Sequence, residues 1–590
     1  MIFMFTVVKC SPFKVTMAPT SVLILVCVFG GTLANYYLKP LSYTKLPTKV
    51  TPSETFQLFG GTAEEGAYDP KKKMLYVVGE TSRLIHILDI SDPANPVRAL
   101  THQFTAADGI PRDIAICGDE IAVAVTSGVR DVYEGHIYFF KTFTKGDSFL
   151  QADGTHLPVG VFPDMLTYTP DCGVLLVANE GRPGRDITNK FVDPKGSVHI
   201  IRTERTGSPS EKIAGFESFN SRYDIRIPAR YVPSNTWPLP NPVSVAQGLE
   251  PEYIAVTADS RYAYITLQEN NAVAKLSLSD GVISDLWPLT KKEWKDIGID
   301  STDRDGGIHL RQYPWVSLQQ PDIAKTYTVG RKTYLFTANE GATTSYTSSV
   351  HGFTWADNAK SDALVRAKKF DEMSINNSTF YADLLLENMA GYLTVSNIDS
   401  LNLFSDKLGQ VTHFGGRGFS IWDTSDMSLV WDSKDEIEKH MEVLMYNVFN
   451  TDVVSSTITY TSPENLRDST SDLQGPKLNG MDLLVQQNGS DFLLVGSETV
   501  GALFLYTINS TSGAPVPRFE SAHRAGRTDF VWKELYDMDE AGDAYISAIG
   551  LISPADSPTN NVMAYVISAV SGSVSLYSVE QHPNPDFIFG

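Results

Sequence analysis

A 14-residue pattern recurs along the chain and constrains its fold more than any other feature. Five stretches align without gaps: EEGAYDPKKKMLYV (64–77), RDIAICGDEIAVAV (112–125), DMLTYTPDCGVLLV (164–177), EYIAVTADSRYAYI (252–265) and DLLVQQNGSDFLLV (482–495). A sixth, DIAKTYTVGRKTYLFT (322–337), fits with two extra residues, and a degenerate seventh at 548–566 carries the insertion ISPADSPTNN. Each is a short β run, a polar turn and a second β run with large apolar residues, which together make a hairpin. Further β-rich runs follow, among them LIHILDI (84–90), SVHIIRT (197–203), GFSIWDT (418–424) and SVSLYSV (573–579), with weaker fourth runs such as SLVWDS (428–433). Seven such units in one register predict an all-β chain, a seven-bladed β-propeller. Separate β-sandwiches, the alternative, would need no common register. At 590 residues and 42% hydrophobic content, the chain is too long for one ordinary core but suits a ring.

A ring has to close. The last unit ends near Val579 with little left for a fourth strand, so residues 53–60 (SETFQLFG) are expected to pair there as its outer strand. This divides the chain into a leader (1–34), a linker (35–50), the propeller (51–580) and a tail (581–590). The units are unevenly spaced, with the excess at 181–195, 204–247, 279–319, 341–412, 434–478 and 510–545. By propeller topology these loops leave on one face. KSDALVRAKKFDEM (360–373) and STFYADLLLENMAGYL (378–393) read as helical, so the largest insertion is expected to cap one mouth of the channel.

The start reads as an address. SVLILVCVFGGTLA (21–34) is an apolar run ending in small residues, as in a secretory signal cleaved before Asn35. It is shorter than the roughly 20 residues a membrane-spanning helix needs. No later segment has spanning length, and QHPNPDFIFG lacks the hydrophobic tail of a lipid-anchor signal. A secreted, extracellular protein is expected, with glycan acceptors at Asn376, Asn377, Asn488 and Asn509. Without the leader the cysteines are Cys117 and Cys172, enough for one bridge and too few for a disulfide scaffold or a zinc site. The 69 acids against 48 Lys and Arg argue against nucleic acid and favour cations or basic partners.

The first position of each window opens the innermost strand, and it is mostly acidic: Glu64, Arg112, Asp164, Glu252, Asp322, Asp482 and, approximately, Ala548, with Asn479 competing for the sixth place. A second column, Glu80, Gly128, Glu180, Gln268, Glu340 and Glu498, falls where the second strands end. Antiparallel pairing brings both columns to one channel mouth. Like charges so close need raised carboxyl pKa values, a counter-charge such as Arg112, or a bound cation. Calcium suits carboxylate oxygens at flexible spacing. The loop acids Asp193, Asp303 and Asp305 extend the candidate set, and Arg182, Arg185 and Arg304 are candidate anion sites or counter-charges. No Glu stands at the twelfth position counted from Asp303, where an EF-hand requires one. The plain alternative is that these acids cap backbone N–H groups or face water.

Long ordered motifs carry a resemblance: AYDPKKKMLYVVGE, LDISDPANPV, FPDMLTYTPDCGVLLVANEG, DPKGSVHII, GLEPEYIAVTADSRYAYITLQENNAVAKL, DRDGGIHL, YLFTANEG and FGGRGFSIWD. Over roughly residues 50–580 the chain resembles the mesenchyme-specific cell-surface glycoprotein family, which shares the choice-of-anchor I domain. The resemblance implies an extracellular glycoprotein associated with biomineralisation. It carries over Glu180, Asp193, Glu252, Asp303, Asp305, Asp322 and Glu340 as shared motif positions. The chain departs from the pattern at Ala342–Ser345, at Lys477–Gly480, where Glu-Pro-Glu-Gly is expected, and in the last unit. Some relatives are lipid-anchored and some bacterial ones are labelled alkaline phosphatase-like. The favoured reading is a non-enzymatic protein binding calcium or other divalent cations, a mineral surface and matrix proteins. A calcium-dependent phosphoesterase or lactonase using the same mouth is one alternative, and a metal-free interaction platform is another. No organic cofactor motif, Gly-x-Ser-x-Gly elbow or His-Glu-x-x-His is present.

Overall fold

A computed structural model describes residues 36–582 except 155, 203–209, 234–242, 349–352, 372–374, 376, 402–406, 454–456, 458 and 512. The leader and Asn376 lie outside the described residues, as does the tail beyond residue 582.

Among the described residues there are seven four-stranded antiparallel sheets. The sequence repeat becomes a ring through side-chain alternation. In the strand Met74–Gly79 every residue is buried, because both faces are covered. Tyr76 and Val78 pack with Ile114, Val123 and Val125 of the next sheet, while Leu75 and Val77 pack with Met563, Ile567 and Leu576 of the last. Such period-2 division recurs sheet by sheet, giving a β-propeller in which the last sheet packs on the first. Each large aliphatic or aromatic residue buried this way stabilises the interface by roughly 1.5–3 kcal/mol.

The ring is closed by an element the sequence reading assigned to a linker. Tyr36–Lys45 pairs antiparallel with Ser573–Gln581 and forms the outer strand of the last sheet. The segment 53–60 does not pair there; Thr55 bridges Lys49, and Phe59 N–H donates to the Val570 carbonyl. The reason is packing. Leu38 is buried in the last intersheet core, and the Tyr36 ring meets Phe492 edge-on at 4.9 Å. Pro40, which argues against a strand in sequence, sits at a bulge on the outer edge, where no ladder partner is needed.

Cys117 and Cys172 form a disulfide, with Cα atoms 5.8 Å apart, joining the second and third sheets. The insertions build a five-stranded sheet from Lys292–Glu293, Val316–Ser317, Asn358–Lys360, Thr394–Ser396 and Thr412–His413. It has its own core around Trp294, Trp315, Phe370 and Phe380. The helix-like stretches are shorter than the sequence suggests, Ser361–Arg366 and Ser378–Asp383. The first ends where Lys368 turns to φ 56°. No helix among the described residues is long and apolar enough to cross a membrane.

Candidate cation site at the channel mouth

Each sheet sends one residue from the start of its inner strand into a common cavity of about 320 Å³: Glu64, Arg112, Asp164, Glu252, Asp322, Asn479 and Ser547. A repeated backbone device aims four of them. The strand register skips one residue between Pro111 and Asp113, Pro163 and Met165, Leu478 and Gly480, and Ile546 and Ala548. The skipped residue, here Arg112, Asp164, Asn479 or Ser547, is left out of the ladder by a β-bulge, which redirects its side chain.

These bulges correct the sequence alignment at its end. Asn479, not Asp482, holds the sixth mouth position, and Ser547 rather than Ala548 holds the seventh. Asp482 lies three residues further along, about 10 Å by strand geometry. It lines a second cavity of about 440 Å³ together with Ala548. There Asp482 pairs with Lys325 at 3.2 Å and accepts a hydrogen bond from Leu551 N–H at 2.7 Å.

The second column converges as its antiparallel pairing requires. Glu80, Gln268 and Glu340 line the mouth cavity, with Glu180 and Glu498 buried behind it. Asp164, Glu180 and Glu252 each offer a carboxylate oxygen, and these oxygens lie within 4.8 Å of one another. Glu180 is 0% exposed; one oxygen pairs with Arg182, while Oε1 is buried without a hydrogen bond. Burial, with Asp164 next, pushes the Glu180 carboxyl well above its ordinary pKa, and burial plus Glu180 does the same to Glu252. Burial also pushes Asp164 up, but the Arg112 and Arg182 guanidiniums outweigh it and hold Asp164 low. Glu64 is pushed up to about 8 by burial and then by Glu80, and burial takes Glu80 itself to about 7. Such a pocket favours protons or a cation over bare charge.

Arginines temper the mouth. Arg112 Nε donates to Asp164 Oδ1 at 3.0 Å and its Nη1 pairs with Glu80. Arg112 and Arg182 both lie over the Phe162 ring, at 4.9 and 4.2 Å from its centroid. Arg185 is elsewhere, on a small hairpin, donating to the Asn189 carbonyl. Asp193 stands beside Glu250 outside the triad; burial pushes it up to about 7, and its Oδ2 makes no hydrogen bond.

Asp303, Arg304 and Asp305 are not at the mouth. They belong to the inserted region: Arg304 pairs with Glu387, and Asp305 with Arg311 at 2.6 Å. The turn is tied to the next insertion by side-chain hydroxyls, Ser301 Oγ donating to the Met389 carbonyl and Thr302 Oγ1 to that of Glu387. Of the sequon residues, Asn377, Asn488 and Asn509 are exposed. The reading missed Glu65 and Asp113, one step inside the ring, and Glu250 and Glu269 beside Glu252. It also missed the ammonium groups of Lys325 and Lys477. A rule of one acid per repeat has no place for a second acid in the same turn.

A β-propeller whose inner strands ring a mouth with carboxylates is the class these features define. The choice-of-anchor I domain matches residues 64–511, and the chain belongs to that family. The mesenchyme-specific cell surface glycoprotein of Strongylocentrotus purpuratus is 29% identical over 325 residues, 51% of this chain and 40% of that protein. Gigasin-3a of Magallana gigas is 31% identical over 176 residues, 29% of this chain and 58% of its own length. The chain therefore spans about half the length of these curated relatives. Among solved structures, the WD40 domain of Toxoplasma gondii coronin is similar at TM-score 0.42 and 9% identity, covering 94% of this chain and 89% of that one. Kuenenia stuttgartiensis hydrazine synthase is similar at TM-score 0.41 and 10% identity, covering 91% and 99%.

Proposed function

We propose that the chain is a secreted acidic glycoprotein that binds a divalent cation, calcium first, at the propeller mouth. Through that loop-rich face it engages extracellular matrix proteins or a mineral surface. The observation that carries this is the Asp164–Glu180–Glu252 triad, with oxygens within 4.8 Å and a buried Glu180 oxygen lacking any hydrogen bond. Calcium coordinates carboxylate oxygens at 2.3–2.6 Å, so two ligands of one ion stand no more than about 5 Å apart. The named relatives, one a cell surface glycoprotein, support the extracellular setting.

The arginines beside the triad bear on the hydrolase alternative. Phosphate recognition uses guanidinium donors left available to an anion. Here Arg112 is bonded to Glu80 and Asp164, and Arg182 to Glu180, which supports a counter-charge role. Calorimetric titration of the chelator-treated protein with calcium tests the reading. Binding that weakens at least tenfold in Glu252→Gln supports it, and no heat at millimolar calcium overturns it in favour of a metal-free interaction platform.

A further inference from the structure

The mouth has two carboxylate poles, and they are neutralised differently. At the first, Asp164, Glu180 and Glu252 converge, with Glu250 and Glu269 adding to the same field and Arg182 the nearest shared cation. At the second, Glu340 and Glu498 face one another across Lys477, whose Nζ lies 2.8 Å from Glu340 Oε1 and 3.0 Å from Glu498 Oε1. Glu340 also accepts a hydrogen bond from Gln268 Nε2 at 2.6 Å. Glu498 is 0% exposed, and its Oε2 is buried without a hydrogen bond, as Glu180 Oε1 is at the first pole.

Lys477 is set in place by the backbone. It directly precedes the strand Leu478–Leu484 and has φ 42°, a left-handed conformation unusual for a residue with a β-carbon. Its carbonyl accepts from Glu498 N–H at 2.8 Å, so main chain and side chain both hold it against Glu498. Phe162, Gln320 and Tyr545 occupy the corresponding place two residues before Asp164, Asp322 and Ser547, with φ values of 55°, 50° and 65°. In these four sheets the same backbone turn carries four different side chains, and only at Lys477 is it cationic.

We infer that the Lys477 ammonium is a built-in cation filling the second of two ion positions in the mouth. Lys477 thereby sets stoichiometry: the native chain takes one divalent ion, at Asp164, Glu180 and Glu252, and removing the ammonium opens a second position at Glu340 and Glu498. This rests on the calcium reading of the first pole. At the second pole one ammonium already bridges both carboxyl groups. A divalent ion there would have to displace an ammonium already bonded to both.

Calorimetric titration with calcium of the full chain and of its Lys477→Met variant decides it. Methionine keeps much of the length of lysine and removes the charge. One site in the parent and two in the variant are expected, the added site being lost again in Lys477→Met/Glu498→Gln. One site in both proteins overturns the inference and leaves the calcium reading intact. No site in the parent overturns the calcium reading itself. Should Lys477→Met not fold in calcium-free buffer, Lys477→Gln is titrated instead. There a Tm that calcium raises more than in the parent supports the second position, and an equal rise overturns it.

Discussion

Arg112 of the second sheet donates from Nε to Asp164 Oδ1 of the third at 3.0 Å, so adjacent mouth positions are joined by opposite charges. Arg112 also pairs with Glu80 of the first sheet and thus spans three sheets. Replacing it with methionine removes the direct partner of two partly buried carboxylates and leaves them only the Arg182 charge. A loss of about 3 kcal/mol is expected in calcium-free buffer, the low end for a broken buried pair because the mouth is open to water. Urea denaturation measures it. Parent-like stability for Arg112→Met without calcium would show that the guanidinium compensates nothing.

Calcium affinity should rise with pH. Glu180 and Glu252 carry raised pKa values, so they keep their protons to higher pH than ordinary carboxyl groups, and the ion must displace those protons. Affinity is expected to increase by about tenfold or more from pH 6 to pH 8. Titrations in buffers of different ionisation enthalpy should show proton release. A pH-independent affinity, or no proton release, contradicts the assignment of these two glutamates as ligands.

The inserted region has a pH response of its own. Burial pushes Asp300 up to about 7, and burial followed by the Asp300 charge takes Asp468 to about 8. Both are raised above the ordinary value near 4, so the folded protein binds more protons than the unfolded chain between those values. Their stabilising contribution is therefore complete below about pH 4 and lost as pH rises through 7–8, at up to about 1.4 kcal/mol per pH unit for each group. With the mouth saturated by calcium, Tm should fall from pH 5 to pH 8. Asp468→Asn keeps the acceptor for Ser471 Oγ, 2.5 Å away, and should flatten that fall. An unchanged slope in the variant would count against Asp468 as its source.

The Cys117–Cys172 bridge closes an interval of 55 residues. Chain-entropy arguments give it about 4 kcal/mol of stability. Cys117→Ser/Cys172→Ser should lower the urea midpoint accordingly while leaving calcium binding unchanged. The bridge leaves its strand at Cys117, five residues beyond the mouth position Arg112, about 17 Å by strand geometry. Altered calcium affinity in the double variant would mean that the bridge also shapes the mouth.

Much of this was readable from sequence because the repeat is carried by side chains with a clear period. Pro163-Asp164, Pro251-Glu252 and Pro321-Asp322 mark the mouth, and the apolar second strands fix the register of each unit. The alignment slipped where the marker is missing. Leu478-Asn479 and Ile546-Ser547 have no proline, and the stretch from Asn479 to Val495 is three residues longer than its counterpart from Asp164 to Val177, which a gapless pattern cannot accommodate. Asp482 fitted the column by residue type and belongs to another cavity. Asp303 and Asp305 share an Asp-Gly turn composition with cation loops, and composition alone does not say that they lie in an insertion away from the mouth. Lys477 was visible only as a departure from an acidic motif, since its role depends on two glutamates 137 and 21 residues away.

The outer strand Tyr36–Lys45 has a consequence for biosynthesis. Its partner is the last strand of the ring, and Tyr37 bonds to Glu580 across 543 residues of chain. During translation the strand Tyr36–Lys45 is made more than 500 residues before its partner Ser573–Gln581 and acquires its ladder hydrogen bonds only once that partner is made. Until then the ring stays open, so assembly is gated by the arrival of the strand Ser573–Gln581. A ribosome that stalls or terminates early leaves an unsealed molecule with bare strand edges, which a quality-control system can recognise by those edges alone.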